Sequence, residues 1–190
     1  MRKTGLVIVF LLGLTACFGG YSPNSNFYRL QPVTATDRVF ISKKSIAVGR
    51  VGLPEYLSRP QMVMLDEKTP KVEIAEFNRW GENLDNMLQR KTAADLRVYL
   101  PKAKIAGSDE EVQNAAYEVR IEVMRMDMMR QGKVVLEAKW YVLNNNGQVV
   151  KSGRFEQSQV IKPRYEDYAY GASTLLGKMN MDIARALAEI

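Results

Sequence analysis

The clearest signal along the chain is a strict two-residue alternation. Tyr117, Val119, Ile121 and Val123 alternate with Glu118, Arg120 and Glu122, which predicts a strand with one buried face. The phase then slips. Met124, Met126 and Met128 are apolar, while Arg125, Asp127 and Met129 take the other face. One extra residue near Val123-Met124, a β-bulge, accounts for the slip. Gln131-Gly132 predicts a turn, and Val134 to Leu143 runs back with Leu136, Ala138, Trp140 and Val142 on one face. Asn144-Asn145-Asn146-Gly147 predicts a hairpin, because Asn and Gly accept positive φ at low cost. Val149 to Val160 returns as a third strand, and the resulting antiparallel meander is expected to form the centre of a sheet.

Two stretches carry a helical period instead. From Glu82 to Leu100 the stripe is Leu84, Met87, Leu88, Ala94, Leu96 and Tyr99, and Pro101 stops it. From Tyr165 to Ile190 it is Tyr168, Ala172, Leu175, Leu176, Met179, Ile183 and Leu187, with Gly177 placed to let a neighbour approach closely. Shorter elements precede them. Phe27 to Leu30 and Ser45 to Val51 predict strands, whereas Gln31 to Lys44 has no sustained period and reads mostly as loop. Pro54 and Pro60 bar a regular helix between them. Gln61 to Leu65 and Lys71 to Ala75 predict a hairpin around Asp66 to Pro70, with Val72 and Ile74 inward; Ala103 to Ala106 predicts a brief strand. The expected fold is α+β: one domain, a mainly antiparallel sheet and two amphipathic helices packed on one face.

The N-terminus has a different pattern. Arg2 and Lys3 precede the apolar run LVIVFLLGLTAC, Leu6 to Cys17. The apolar stretch of about nine residues is too short for the roughly 20 needed to span a bilayer, and a basic start, short apolar core and small residues before a cut form a secretory signal. A cysteine directly after the cut is the lipobox of bacterial lipoproteins. Residues 1–16 are therefore expected to be a signal peptide, Cys17 the lipidation site, and 17–26 a tether rich in Gly, Ser, Pro and Asn; 27–190 form the domain. Nine residues, Phe18 to Asn26, reach at most about 30 Å.

Composition narrows the chemistry. The 190 residues contain no histidine and a single cysteine, which excludes Ser-His-Asp triads, two-histidine zinc sites and dithiol redox pairs. No cofactor, metal or catalytic site is expected. The net charge of +6 comes without a run of like charges or an aromatic-basic stripe, so no nucleic-acid partner is expected. Glu55, Asp66 and Glu137 have no spacing that would support hydrolysis by a carboxylate pair.

Several segments together resemble the ABC-type transport auxiliary lipoproteins, components of MCE lipid-transport systems. They are Phe27-Tyr28-Arg29-Leu30 after the lipobox, Leu53-Pro54-Glu55-Tyr56-Leu57-Ser58-Arg59-Pro60-Gln61, Arg79-Trp80-Gly81-Glu82-Asn83-Leu84, Val135 to Trp140, and the tail from Tyr170 through Ala184. Arg50, where the family pattern has proline, and a long 31–45 segment depart from it. The resemblance implies a non-catalytic lipoprotein, held on the periplasmic face of the outer membrane by the acyl chains (palmitate among them) on Cys17. Its implied partners are a periplasm-spanning MCE protein with its inner-membrane transporter components, and further copies of itself in a homo-oligomeric ring. Phe18 after the cysteine, rather than Asp, fits outward sorting. An alternative is an outer-membrane lipoprotein serving cell-wall synthesis or surface assembly.

Leu53, Pro54, Glu55, Tyr56 and Arg59 are candidate partner-binding residues, since Tyr and Arg anchor interfaces; the alternative is that the prolines shape a connection and Tyr56 covers the core. Arg79 and Trp80 are further candidates, although a tryptophan just before a helix also serves to staple it. Met124, Met126, Met128 and Met129 fit a core-facing strand better than a lipid-facing one.

Overall fold

The computed structural model describes residues 23–34, 37–107 and 115–190. The signal sequence, Cys17, tether residues 18–22 and the loop bearing Glu110 and Glu111 lie outside the described residues. The element order is β1 (Asn26–Tyr28), β2 (Ser45–Gly52), a 3-10 turn (Glu55–Leu57), β3 (Gln61–Asp66), β4 (Thr69–Trp80), α1 (Leu84–Tyr99), β5 (Lys104–Ala106), β6 (Tyr117–Met129), β7 (Lys133–Asn144), β8 (Val149–Val160) and α2 (Tyr165–Ala188). The predicted elements all form, with ends shifted by a few residues; β4 alone is much longer than its KVEIA signal.

β6 is the strand on which the sheet is built. It pairs β7 antiparallel along its whole length, with Val123 opposite Ala138 and Arg125 opposite Glu137, so Met124 is the unpaired residue of the expected bulge. On its other edge β6 takes two parallel neighbours in turn: β2 as far as Glu122, then β3 at Met128 and Met129. The bulge falls where the neighbour changes. It lets Val119, Ile121 and Val123 and then Met126 and Met128 all face the helices, although they stand in opposite phases. Met124 itself is turned outward and 38% exposed, unlike the other three methionines of this strand.

Two further expectations are corrected. The meander is not the sheet's centre, because β8 pairs only β7 and is an edge strand. The sheet is mainly antiparallel, as expected: three long antiparallel ladders carry most of the pairing, and shorter parallel ladders join β1–β4, β2–β5, β2–β6 and β3–β6. Val72 and Ile74 do not face inward but are 46% and 38% exposed. Alternation identifies two faces without saying which is covered, and Ala75, opposite the fully buried Met62, holds the inner one.

Both helices lie on one face of the sheet, α1 over β2 and β5 and α2 over β7 and β8, and they touch each other. Leu88, Leu96, Leu175, Leu176, Met179 and Ile183 are almost wholly buried between the layers, each worth about 1.5–3 kcal/mol relative to exposure. Residues 31–34 and 37–44 are laid across the helix pair as a strap. Val33 sits so close to Gly177 that a Cβ there would stand 2.6 Å from Val33 Cγ1, the close approach expected of this glycine.

The strap is fastened by a buried carboxylate. Asp95 on α1 accepts hydrogen bonds from Val33 N (2.9 Å), Lys91 Nζ (2.6 Å) and Asn180 Nδ2 (2.8 Å) on α2, and Lys91, Asp95 and Asn180 are each at most 4% exposed. Ser173 on α2 accepts from Gln31 N at 2.9 Å. Burial pulls the Lys91 pKa below the usual lysine value while Asp95 opposes the shift. Removing the acceptor strands three donors at once, one of them charged. Asp95→Ala is expected to cost about 3–5 kcal/mol, read as a lower urea midpoint; an unchanged midpoint would show that this centre is dispensable.

Candidate functional site

The chain between β2 and β3 is stiff because of where its prolines fall. Pro54 has φ −64 and ψ 149 and leads into a single 3-10 turn, in which Leu57 N and Ser58 N donate to Pro54 O and Glu55 O at 3.0 Å. Pro60 closes the loop, its carbonyl accepting from Trp80 N at 2.7 Å. Leu57 points into the core at 4% exposure, and Glu55 at the crown is exposed.

Tyr56 fixes the loop to the sheet. Its hydroxyl donates to Asp127 Oδ1 at 2.7 Å, and the other carboxylate oxygen takes Arg125 Nε at 2.7 Å. Asp127 is 1% exposed. It lies on the sheet face away from the helices, opposite Val135 of β7, and the loop is what covers it. Burial, then the hydrogen bond to Asp127, pushes the Tyr56 phenol well above its ordinary value; the separate hydrogen bond that Arg125 donates to Asp127 raises the guanidinium's pKa above its ordinary value. Neither Arg125 nor Asp127 was singled out from sequence. An aspartate inside an apolar run of methionines was the available signal.

Beside Tyr56 the loop forms one wall of a pocket of about 270 Å³. Leu53, Arg59 and Pro60 contribute from the loop, and Asn83, Leu84 and Asp85 from the start of α1. Arg59 is half-buried, and its Nε has no hydrogen-bond partner among the described residues. A buried guanidinium N–H left unpaired carries a desolvation cost, which an acceptor from outside would relieve.

The structure brings Leu53, Pro54, Glu55, Tyr56 and Arg59 into one loop and Leu53 and Arg59 into one pocket. Arg79 stands across the ladder from Gln61, with Nε on Glu76 O at 3.0 Å. Trp80 is 3% exposed, so its ring belongs to the core beneath the site. The carboxylates considered for hydrolysis have separate partners: Asp66 takes Lys68 N and Gln131, which hold its carboxyl below the usual range, and Glu137 takes Arg154 at 2.7 Å. Among the described residues there is no cluster of three metal-ligating side chains, and no helix is long and apolar enough to cross a membrane.

The sequence model of the family described as "ABC-type transport auxiliary lipoprotein component" matches residues 28–184. The chain is 28% identical over 151 residues, 78% of each chain, to the intermembrane transport lipoprotein PqiC of Escherichia coli. Two crystal structures share the fold: an uncharacterized protein (TM-score 0.73, 20% identity, 87% of this chain and 99% of that one), and a Xanthomonas campestris protein (TM-score 0.65, 13% identity, 87% and 95%).

The Tyr56 hydroxyl is expected to stabilise the loop through a buried charged acceptor. Tyr56→Phe should cost about 1–3 kcal/mol. The phenol's folded pKa lies above the unfolded value of 10.0, so its contribution is complete below pH 10 and is lost as pH rises towards the folded pKa. Urea midpoints at about pH 8 and pH 10.5 should therefore fall further for the parent than for the variant; equal falls would remove Tyr56 from the linkage.

Proposed function

This chain belongs to the family of ABC-type transport auxiliary lipoprotein components, and from that premise we propose that it is the outer-membrane foot of an intermembrane lipid-transport system. The family match over 28–184, with the similarity to an intermembrane transport lipoprotein, is the observation that carries the reading. Acylation of Cys17 holds the domain at the periplasmic face of the outer membrane, and three acyl chains make release negligible where one would be reversible, at about 0.8 kcal/mol per buried CH₂. The domain then docks an MCE-type periplasmic protein, which joins it to the inner-membrane transporter.

The 53–61 loop supplies the docking surface. It is held by Tyr56 and Leu57 and so presents Glu55, Leu53 and Arg59 with little conformational entropy to lose on binding. The open Arg59 Nε and the pocket between the loop and α1 suit a side chain or chain end that carries a hydrogen-bond acceptor. Nothing in this role requires bond chemistry, in keeping with a chain that lacks histidine and has one cysteine.

A photo-crosslinker at Glu55 in cells is expected to capture an MCE protein. Arg59→Glu should weaken co-purification of that protein about thirtyfold, the loss of roughly 2 kcal/mol that defines an interface anchor, while thermal unfolding stays near the parent's. Capture of no MCE protein from crosslinked envelopes would sink the reading. We also propose that several copies surround the partner as a ring. Native mass spectrometry of the detergent-purified lipoprotein should then show a closed oligomer, and a monomer alone would remove the ring.

A further inference from the structure

The tether meets the domain at a place with an unusual surface. β1 is an edge strand of three residues, paired parallel to Asn78–Trp80 of β4. Phe27 in its middle is 66% exposed, and Tyr170 on α2 is 54% exposed. The two rings border one shallow cleft of about 160 Å³, together with Arg29 and Glu166. Glu166 and Tyr170, four apart, share a helix face. Phe77, 45% exposed, adjoins Asn78, the residue paired with Asn26. Deeper in, the Tyr28 and Tyr165 rings meet as a tilted pair with centroids 6.2 Å apart, and Tyr28 OH donates to Asn78 Oδ1 at 3.1 Å, so the exposed rings stand on a fixed base.

Chain length identifies what covers this surface. Six residue steps separate Cys17 from Pro23, the first described residue. They reach at most about 20 Å when fully extended. Once Cys17 is acylated, β1 is held within a short distance of the headgroups. A surface so tethered experiences the bilayer at an effective concentration of order millimolar, and weak intrinsic affinity is then enough to keep it seated. Aromatic rings favour that depth, where an apolar body meets the hydrocarbon boundary and a polar tip stays wet. Arg29 and the half-buried Arg79, opposite Phe27, can extend their heads to lipid phosphates.

We propose that Phe27 and Tyr170, with Arg29 beside them, form a bilayer-contacting surface that seats the domain in one orientation on the lipid. This rests on the acyl anchoring of Cys17 and adds an orientation to it. Exposed apolar residues elsewhere, such as Phe40 and Val160 at 78% and 83% exposure, do not adjoin the tether's entry to the domain.

The test uses the full acylated lipoprotein in phosphatidylethanolamine–phosphatidylglycerol vesicles. Because Cys17 is the sole cysteine and is blocked by acylation, Phe27→Cys, Tyr170→Cys and, as a reference on the exposed β7–β8 turn, Asn146→Cys each accept one fluorophore. Quenching by lipids spin-labelled near the headgroup should be at least about threefold greater at positions 27 and 170 than at 146. Equal quenching at the three positions, with the protein floating with the vesicles, overturns the proposal and leaves the anchor intact. Failure to float, with an unmodified mass at Cys17, overturns the anchoring and the proposal with it.

Discussion

A strand with two successive partners on the same edge must be interrupted somewhere, and the hydrogen bond from Tyr56 to Asp127 is how this protein manages the interruption. β6 runs beside β2 to Glu122 and beside β3 from Met128. Between them no strand pairs its edge, and its phase is shifted by the bulge at Met124. The shift restores the core pattern on the helix side, placing Met126 and Met128 inside, and drops Asp127 onto the far face. A carboxylate at 1% exposure cannot stay there unpaired. Tyr56 and Arg125 satisfy it, and Tyr56 can do so only because two prolines bring the β2–β3 loop over the gap. The bulge, the buried aspartate and the rigid loop are one device.

Asp95 plays the corresponding part on the opposite face. There the strap and both helices converge on a single carboxylate, and Gly177 lets Val33 reach it by removing the Cβ that would block the way. Each side of the sheet thus has an irregular segment fastened by a buried acid. Polar centres of this kind contribute little net stability compared with apolar packing, but losing one partner is costly. Their effect is to give each segment one position.

Local pattern revealed what depends on local pattern. The Tyr117–Val123 alternation and the methionine phase slip located both β6 and its bulge, Asn144 to Gly147 located a hairpin in which Gly147 has φ 74, and the helical stripes located both helices. Parallel pairing was not legible, since β2 and β6 are separated by β3, β4, α1 and β5 and nothing in either strand names the other. Lys91 and Asp95, four apart, read like an exposed helix pair and prove to be buried because α2 and the strap close over them. Of the candidate docking residues, sequence grouped Leu53 to Arg59 correctly as one segment. It offered Trp80 as a staple as well as a contact, and the ring is in the core; it did not show that Tyr56 faces Asp127, which follows from the loop's fold against β6.

The geometry of β4 ties the proposed docking surface to the proposed membrane contact. Asn78–Trp80 is flanked by β1 on one side, while on the other Arg79 pairs Gln61 and Trp80 N bonds Pro60 O. The 53–61 loop therefore ends two strand spacings from β1, about 10 Å, and close to where the tether enters the domain. A domain seated through Phe27 and Tyr170 holds this loop near the lipid surface, where a partner that spans the periplasm would end. With Cys17 acylated as proposed, the distance from acyl chain to docking loop is then limited by the short tether before β1 and one shared strand. A short tether suits such a protein because it fixes the height of a contact surface, whereas a diffusing enzyme would gain from a long one.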